Sequence, residues 1–306
     1  MKGRILAMLR SSRGPVPVQA LCMDLGLSQA ALALEIAELE ALGYGIESTA
    51  AGYRLADGRD ALYPWEFGDR EDRIHYLDEV LSTMDIARDL ARDGCPHMTV
   101  VIAERQTRGR GRLKRTWLSS EGGLYFNMVL RPDIPPNQGY KTNFLASLVL
   151  ARILADNYGI EARVKWPNDV LVHGEKISGI LAELETLGSR VDYINMGIGI
   201  NVNNDPRPSE LKATSVKRLT GRNVSRRDLL ALFLDTFESR LAGVDEDDVI
   251  GEWKRLTVTL NRRVRIVTAQ SVSEGIAIDV TDAGSLLLKQ ADGSVKTVVY
   301  GDCFLV

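Results

Sequence analysis

Between Glu104 and Trp117 the chain reads ERQTRGRGRLKRTW, in which six basic residues (Arg105, Arg108, Arg110, Arg112, Lys114 and Arg115) face a single acid. So many cations without local partners would each be costly to desolvate, so the segment must meet water or an anion. Gly109 and Gly111 let main chain approach a ligand, and the arginines carry planar forks matched to carboxylate and phosphate. On this stretch alone a solvated basic loop satisfies the composition as well. Similar chemistry recurs downstream. Lys165-Trp166-Pro167-Asn168-Asp169 cannot be helix interior, because Pro167 lacks a backbone donor and restricts the residue before it. It reads as a rigid turn presenting polar side chains, although Asn168 and Asp169 are also ordinary turn residues. Lys176 precedes the strand-like ISGILAELE, in which Gly179 leaves room against the backbone. YINMGIGINVN ends in glycines and Asn201. Ser82 and Thr83 stand before a helical pattern, where capping is the ordinary role and bonding a ligand at the helix N-terminus is the other.

These residues need elements to gather them. IHYLDEV reads as a strand, and MDIARDLARDG as a helix stopping at Gly94. MTVVIAE is a buried strand entering the basic loop and GLYFNMVLRP a strand leaving it, so the loop joins two strands of one sheet. A helix over 141–157 precedes the KWPND turn. Arginine, lysine, glycine and asparagine at the ends of several strands are how one site collects residues distant in sequence.

The flanks read differently. Helices over 3–11 and Val18 to Leu25, a third helix capped by Ser28 with Leu32, Ile36, Leu39 and Leu42 at helical spacing, and two strands around Ala51-Gly52 make a winged helix-turn-helix. Yet no Lys or Arg occurs in 14–53, and the third helix carries Glu35, Glu38 and Glu40. Basic side chains supply nonspecific DNA affinity, so the charge argues against DNA and for packing, dimer geometry or a protein partner. Arg59 to Arg73 reads as a polar connector, with a domain boundary near residue 64. After a helix over 225–241 and a segment containing Trp253, residues 256–306 read as short strands with tight turns, an all-β module.

The bulk numbers exclude several classes. A length of 306 residues suits two or three domains, and a net charge of -3 gives no global pull toward nucleic acid or anionic membrane. Three cysteines and three histidines lack CxxC or HExxH spacing, which argues against a disulfide framework, a zinc site and a transition-metal enzyme. No apolar run approaches the roughly 18 residues of a membrane span, and the N-terminus has too short an apolar core for a signal peptide, so the chain reads as cytoplasmic.

GRGRxxRxW, KWPND, Lys-x-x-Gly-Ile-Leu and Gly-Ile-Gly-Ile-Asn, in this order, resemble the biotin protein ligases over nearly the whole chain. The winged N-terminus resembles the longer, bifunctional class that is also a biotin-operon repressor. The resemblance implies a mixed α/β fold with a winged helix-turn-helix at 1–64, a class-II-synthetase-like catalytic domain with a mixed sheet at 65–255, and an SH3-like β-barrel at 256–306. It implies that biotin and ATP with magnesium form biotinoyl-adenylate, which a lysine of a biotin carboxyl carrier domain then attacks, and that the enzyme is a homodimer.

The same resemblance implies site residues. Ser82, Thr83, Gln106, Gly109 and Arg110 would surround biotin, with Gly179 and Leu181 on the opposite wall and Gly197 nearby. Lys176 would sit beside the biotin carboxylate and the phosphate joining it. Arg112 and Arg115 would hold phosphates and Trp117 would stack on adenine, while Asn168, Asp169 and Asn201 lie at the nucleotide and magnesium end. The chain has no GxxxxGK[ST] loop, so side chains must carry the phosphates. One departure stands in the motif: Lys114 occupies a position that is commonly glycine, and a positive φ there would store roughly 1–3 kcal/mol of strain and alter retention of the adenylate. A biotin-responsive repressor and a lipoate-type ligase are the alternative functions; KWPND and the arginine loop favour biotin.

Overall fold

α1 (Lys2–Ser11), α2 (Val18–Leu25) and α3 (Gln29–Ala41) precede a hairpin of β1 (Gly45–Thr49) and β2 (Gly52–Asp57). The computed structural model describes residues 1–57, 59–206, 212–243 and 248–306, and it divides the chain into units Met1–Ile74 and His75–Val306. In the first unit Gly26 ends α2 in the left-handed region at φ 68°, and the Ser28 hydroxyl accepts from the Ala31 N–H at 3.2 Å to start α3. Leu32, Ile36 and Leu39 then pack with Ile5, Leu6, Leu9 and Leu21. The stretch taken from sequence as a polar connector holds two 3-10 turns within Pro64–Arg73, separated by a kink at Phe67 and Gly68. Its buried Glu66 accepts from Arg10 at 2.8 and 3.0 Å and from the Tyr44 hydroxyl at 2.5 Å, so the first unit continues through Ile74.

In the second unit β3 (Ile74–Val80) leads through α4 (Thr83–Arg92) to β4 (Thr99–Gln106), and β5 (Leu124–Leu130) precedes the long helix α5 (Tyr140–Tyr158). β6 (Arg163–Lys165), β7 (Asp169–Val172), β8 (Glu175–Leu187) and β9 (Arg190–Ile200) follow, then α6 (Val216–Thr220), α7 (Arg226–Leu241) and α8 (Val249–Leu256). The seven strands of one sheet run in the order β3-β4-β5-β9-β8-β7-β6, and the ladders from β4 to β6 are antiparallel.

Register decides what one face carries, because directly opposed residues share a face. Asn127, Gly197 and Leu181 form one transverse row, and Gly199, Gly179, Asp169 and Lys165 form the next. The opposite face is apolar. Phe126 of β5 meets Phe233 of α7 edge-on at 5.6 Å, Phe233 stacks on Phe237 at 5.7 Å, and Phe144 of α5 meets Trp253 of α8 at 4.8 Å.

β10 (Arg263–Val267), β11 (Val272–Val280), β12 (Leu286–Lys289), β13 (Val295–Val298) and β14 (Asp302–Leu305) complete the chain as an antiparallel sheet ordered β13-β12-β11-β10-β14. Burial along β11 alternates, the period-2 signature of a sheet with one covered face. Fully buried Trp166 joins this module to the seven-stranded sheet: its indole N–H donates to the Gly284 carbonyl at 3.0 Å, and its backbone N–H donates to the Thr259 hydroxyl at 2.8 Å.

Phe233→Ala deletes the ring between Phe126 and Phe237, and it should lower the stability of the second unit by about 3–5 kcal/mol. Urea unfolding measures this, and a loss below about 1 kcal/mol would contradict the assignment of Phe233 to the core.

Candidate active site

A cleft of about 510 Å³ lies over the two glycine-bearing rows of the sheet. Thirteen of the residues singled out from sequence line it: Ser82, Thr83, Gln106, Arg110, Arg112, Arg115, Trp117, Asn168, Asp169, Lys176, Gly179, Leu181 and Gly197. Gly109 and Asn201 stand outside the lining. The Gly109 carbonyl accepts from the Trp117 N–H at 2.9 Å, and a Cβ at Gly109 would lie 2.7 Å from the Ser119 hydroxyl, so this glycine closes the neck of the basic loop. Asn201 accepts from Asn204 at 3.1 Å and builds the turn after β9.

One end of the cleft is a relay of polar groups. Ser82 caps α4, its hydroxyl accepting from the Met84 N–H at 3.3 Å. The Thr83 N–H donates to Gln106 Oε1 at 2.9 Å, while the Thr83 hydroxyl donates to Asn127 Oδ1 at 2.6 Å. Asn127 donates to Asn195 at 2.8 Å, Asn195 to the Met84 carbonyl at 2.9 Å, and Gln106 to Ser119 at 2.9 Å. Asn127 and Asn195 are fully buried and were not among the sequence candidates. Their signal was an asparagine inside each of two apolar strands, where a buried amide must find partners.

The other end is dominated by charge. Six cationic side chains line the cleft (Arg110, Arg112, Arg115, Lys165, Lys176 and Lys212) against the carboxylates of Asp169 and Asp302. Lys165 Nζ lies 2.9 Å from Asp169 Oδ2, and Lys176 Nζ contacts Asp169 Oδ1. Burial pushes the Asp169 carboxyl up, but the two ammonium groups outweigh it and hold it below the usual carboxylate range. Arg112 donates to Asn168 Oδ1 at 3.2 Å and to the Gly301 carbonyl at 2.5 Å. Burial draws its pKa down, and Asp302 and Asp169 oppose that. Arg115 lies 2.6 Å from Asp302 and over the Phe304 ring at 5.3 Å. Arg110 is shared between Asp85 and Glu183, each at 3.0 Å, and Arg88 grips the same two acids at 3.0 and 2.6 Å.

Lys212 has no ion-pair partner among the described residues, although its backbone is pinned: its carbonyl accepts from the Lys176 N–H at 2.9 Å. Lys212 and Asp302 escaped the sequence reading because neither lies in a motif. The Cys303 thiol also faces the cleft, and burial pushes it up to about 12, which keeps it protonated and inert.

Trp117 lies across Gly179 and Gly199, where a Cβ on Gly199 would collide with the indole and one on Gly179 would stand 3.0 Å from it. Lys176 Nζ is 5.3 Å from its ring centroid. The indole nitrogen is buried against Gly199 and has no hydrogen-bond partner among the described residues. The Lys114 side chain lies outside the described residues; its neighbour Leu113 takes the left-handed region, at φ 50° and ψ 40°. A resident magnesium site does not fit these donors. Both Asp169 oxygens are taken by lysines, and no group of three His, Cys, Asp or Glu among the described residues could hold a metal ion.

Residues 77–201 match the model of the biotin/lipoate A/B protein ligase family, 259–306 that of the biotin protein ligase C-terminal domain, and 3–54 an HTH domain. The "Bifunctional ligase/repressor BirA" of Bacillus subtilis is 35% identical over 289 residues, covering 89% of this chain and 88% of that protein. The chain belongs to the biotin protein ligase family. A "Biotin--[acetyl-CoA-carboxylase] ligase" of Paracoccus denitrificans is 32% identical over 203 residues, covering 63% of this chain and 85% of that protein. The Aquifex aeolicus biotin protein ligase, solved with biotin and ATP, superposes with a TM-score of 0.65 at 30% identity, over 76% of this chain and 98% of that one.

The charge at Asp169 has a pH signature. A carboxyl whose pKa is lowered on folding contributes stability above its unfolded value of 3.8 and loses it as pH falls through the folded value. Asp169→Asn should therefore be less stable than the unmodified ligase at neutral pH, with the gap closing as pH falls below about 4. Urea midpoints across that range test this; a gap independent of pH would show that Asp169 is not held as a carboxylate.

Proposed function

We propose that this ligase activates biotin with ATP to biotinoyl-5'-AMP and then transfers biotin to a lysine of a biotin carboxyl carrier domain. The observation that carries the reading is the cationic surplus of the cleft, set beside a glycine floor and a polar relay. A carboxylate and a triphosphate repel each other, so cations must hold them together and stabilise charge developing at phosphorus. In the first step a biotin carboxylate oxygen bonds the α-phosphorus and the bond to the bridging oxygen breaks, releasing pyrophosphate. In the second, the carrier amine bonds the acyl carbon, AMP leaves with the bonding pair, and the amine loses a proton.

Lys176 is the key electrostatic residue, beside the biotin carboxylate and the α-phosphate, with Arg112 and Arg115 on the nucleotide phosphates and Trp117 under the adenine. Ser82, Thr83, Gln106, Arg110, Gly179, Leu181 and Gly197 surround biotin. Gly109 and Asn201 shape the walls, and Asn168 holds Arg112. Asp169 orients Lys165 and Lys176, and magnesium arrives as the counter-ion of the substrate MgATP, held by phosphates as is usual for this ion. The enzyme works in the cytoplasm as a homodimer; no single helix among the described residues is long and apolar enough to cross a membrane.

A second reading, a biotin-responsive repressor, is favoured by the helix-turn-helix at 3–54 and by the name of the Bacillus relative. Charge stands against it. α3 exposes Gln29, Ala30, Ala33, Leu34, Ala37, Glu38, Glu40 and Ala41, with no cation among them, and Lys2 lies 2.6 Å from Glu38. A salt-dependent gel shift on the chain's own operator would establish it.

Biotin-dependent exchange of pyrophosphate into MgATP tests the ligase reading, with lipoate as the competing acid. Exchange with biotin and none with lipoate is expected, and labelled biotin should then reach an apo carrier domain. No biotin-dependent exchange would sink the reading. Lys176→Gln should cut the exchange rate by about 10²–10³-fold, the scale of losing one transition-state donor. Lys212→Gln should raise the KM for ATP about tenfold and leave the KM for biotin unchanged, since one charge-assisted contact is worth about 1.4 kcal/mol or more. An unchanged KM for ATP would remove Lys212 from the phosphate site.

A further inference from the structure

The transfer step requires a lysine on another protein to reach an adenylate enclosed by the basic loop. Outside that loop lies a second cavity of about 690 Å³. Arg110, Gly111, Arg112, Arg115, Thr116 and Leu181 form part of both linings, so the loop is the partition between the two spaces. The outer space adds Thr107, Arg108, Gly109, Leu113, Glu183 and Tyr300, of which Glu183 is already held by Arg88 and Arg110.

Leu113 is the anomaly. A non-glycine residue in the left-handed region costs about 1–2 kcal/mol. Leu113 accepts that conformation at φ 50° and also leaves its side chain 40% exposed, so packing within the chain explains neither feature. Tyr300, on the same cavity, is 52% exposed, and the adjacent Val299 is 72% exposed. Arg108 is exposed and its guanidinium has no partner among the described residues, although its backbone N–H is fixed to the Leu81 carbonyl at 2.8 Å. Two apolar side chains and one unpaired cation thus border the partition that an acceptor must pass.

We infer that Leu113, Tyr300 and Arg108 form the docking surface for the carrier domain, receiving the segment that carries its acceptor lysine. This rests on the ligase reading above. Continuity with the cleft identifies the occupant, because a chain seated here is separated from the adenylate only by the loop. The unpaired Arg108 calls for an acidic side chain beside that lysine, and Leu113 and Tyr300 call for an apolar contact. Aromatic and arginine side chains are the types that carry most binding energy at interfaces.

The experiment compares Tyr300→Ala, Arg108→Glu and Leu113→Asn with the wild type; asparagine tolerates the left-handed backbone, so the last variant removes the apolar contact without forcing the loop. Three rates are read on the full chain: biotin-dependent pyrophosphate exchange, transfer to an apo carrier domain, and capture of the adenylate by hydroxylamine, a small amine that needs no docking. The KM for carrier should rise about tenfold or more, the equivalent of about 1.4 kcal/mol, while exchange and hydroxylamine capture stay within about twofold of wild type. A carrier KM within about twofold of wild type in all three variants would overturn the proposal. So would a parallel fall in hydroxylamine capture, which would put these residues in the chemistry, or a changed sedimentation coefficient with normal carrier kinetics, which would make the surface a contact between copies of this chain. Absence of exchange in the wild type would instead remove the ligase reading on which the proposal stands.

Discussion

Like-charge repulsion is the constraint that the second unit is built around. Six cations line one cleft, where solvent and the chain's own acids offset their mutual repulsion. Among the described residues, the chain's own acids hold five of the six, all but Lys212. Asp169 is divided between Lys165 and Lys176, Asp302 faces Arg115 and Arg112, and Asp85 with Glu183 grips Arg110. The remaining positive surplus suits a triphosphate, whose oxygens would meet side chains already oriented. Because these guanidinium and ammonium groups are fixed before substrate arrives, little reorganisation remains to be made during reaction.

The sheet makes that concentration of charge possible by leaving one face nearly bare. Gly179 and Gly199 are opposed across β8 and β9, and Gly197 lies in the neighbouring row beside Asn127. Trp117 can therefore lie flat on the strands with the Lys176 ammonium near its ring. The opposite face is packed by the phenylalanines of β5, α5 and α7, so the platform is rigid from behind. The loop that carries most of the arginines is tied at its neck by Gly109 and from outside by the C-terminal module through Arg112 and Gly301. That module is consequently part of the charged end of the cleft.

Much of this was legible beforehand for definite physical reasons. Helical spacing of Leu32, Ile36 and Leu39 marked α3, alternation marked β11, and Pro167 forced the turn that presents Asn168 and Asp169. The stretch around Glu66 misled because it is rich in charge; its acid is buried against Arg10 and Tyr44, partners that no local pattern reveals. The left-handed conformation of Leu113 was not legible for a related reason, since the path of a tight loop is set by the strands and side chains that hold its ends.

Residue types and their order were sufficient to establish that Glu104–Trp117 must meet water or an anion, that strands bring glycine and asparagine toward one site, and that the chain resembles the biotin protein ligases. Periodicity and motif chemistry are local quantities, so a linear reading captures them. Pairing of charges across the fold is not local. Asp302 reaches Arg115 from the far end of the chain, Glu183 reaches Arg110 from β8, and Asn195 completes a relay that begins at Thr83. Only the closed register of seven strands and the docking of the C-terminal sheet bring these groups within hydrogen-bond distance, which is why the electrostatics of the cleft belong to the tertiary structure.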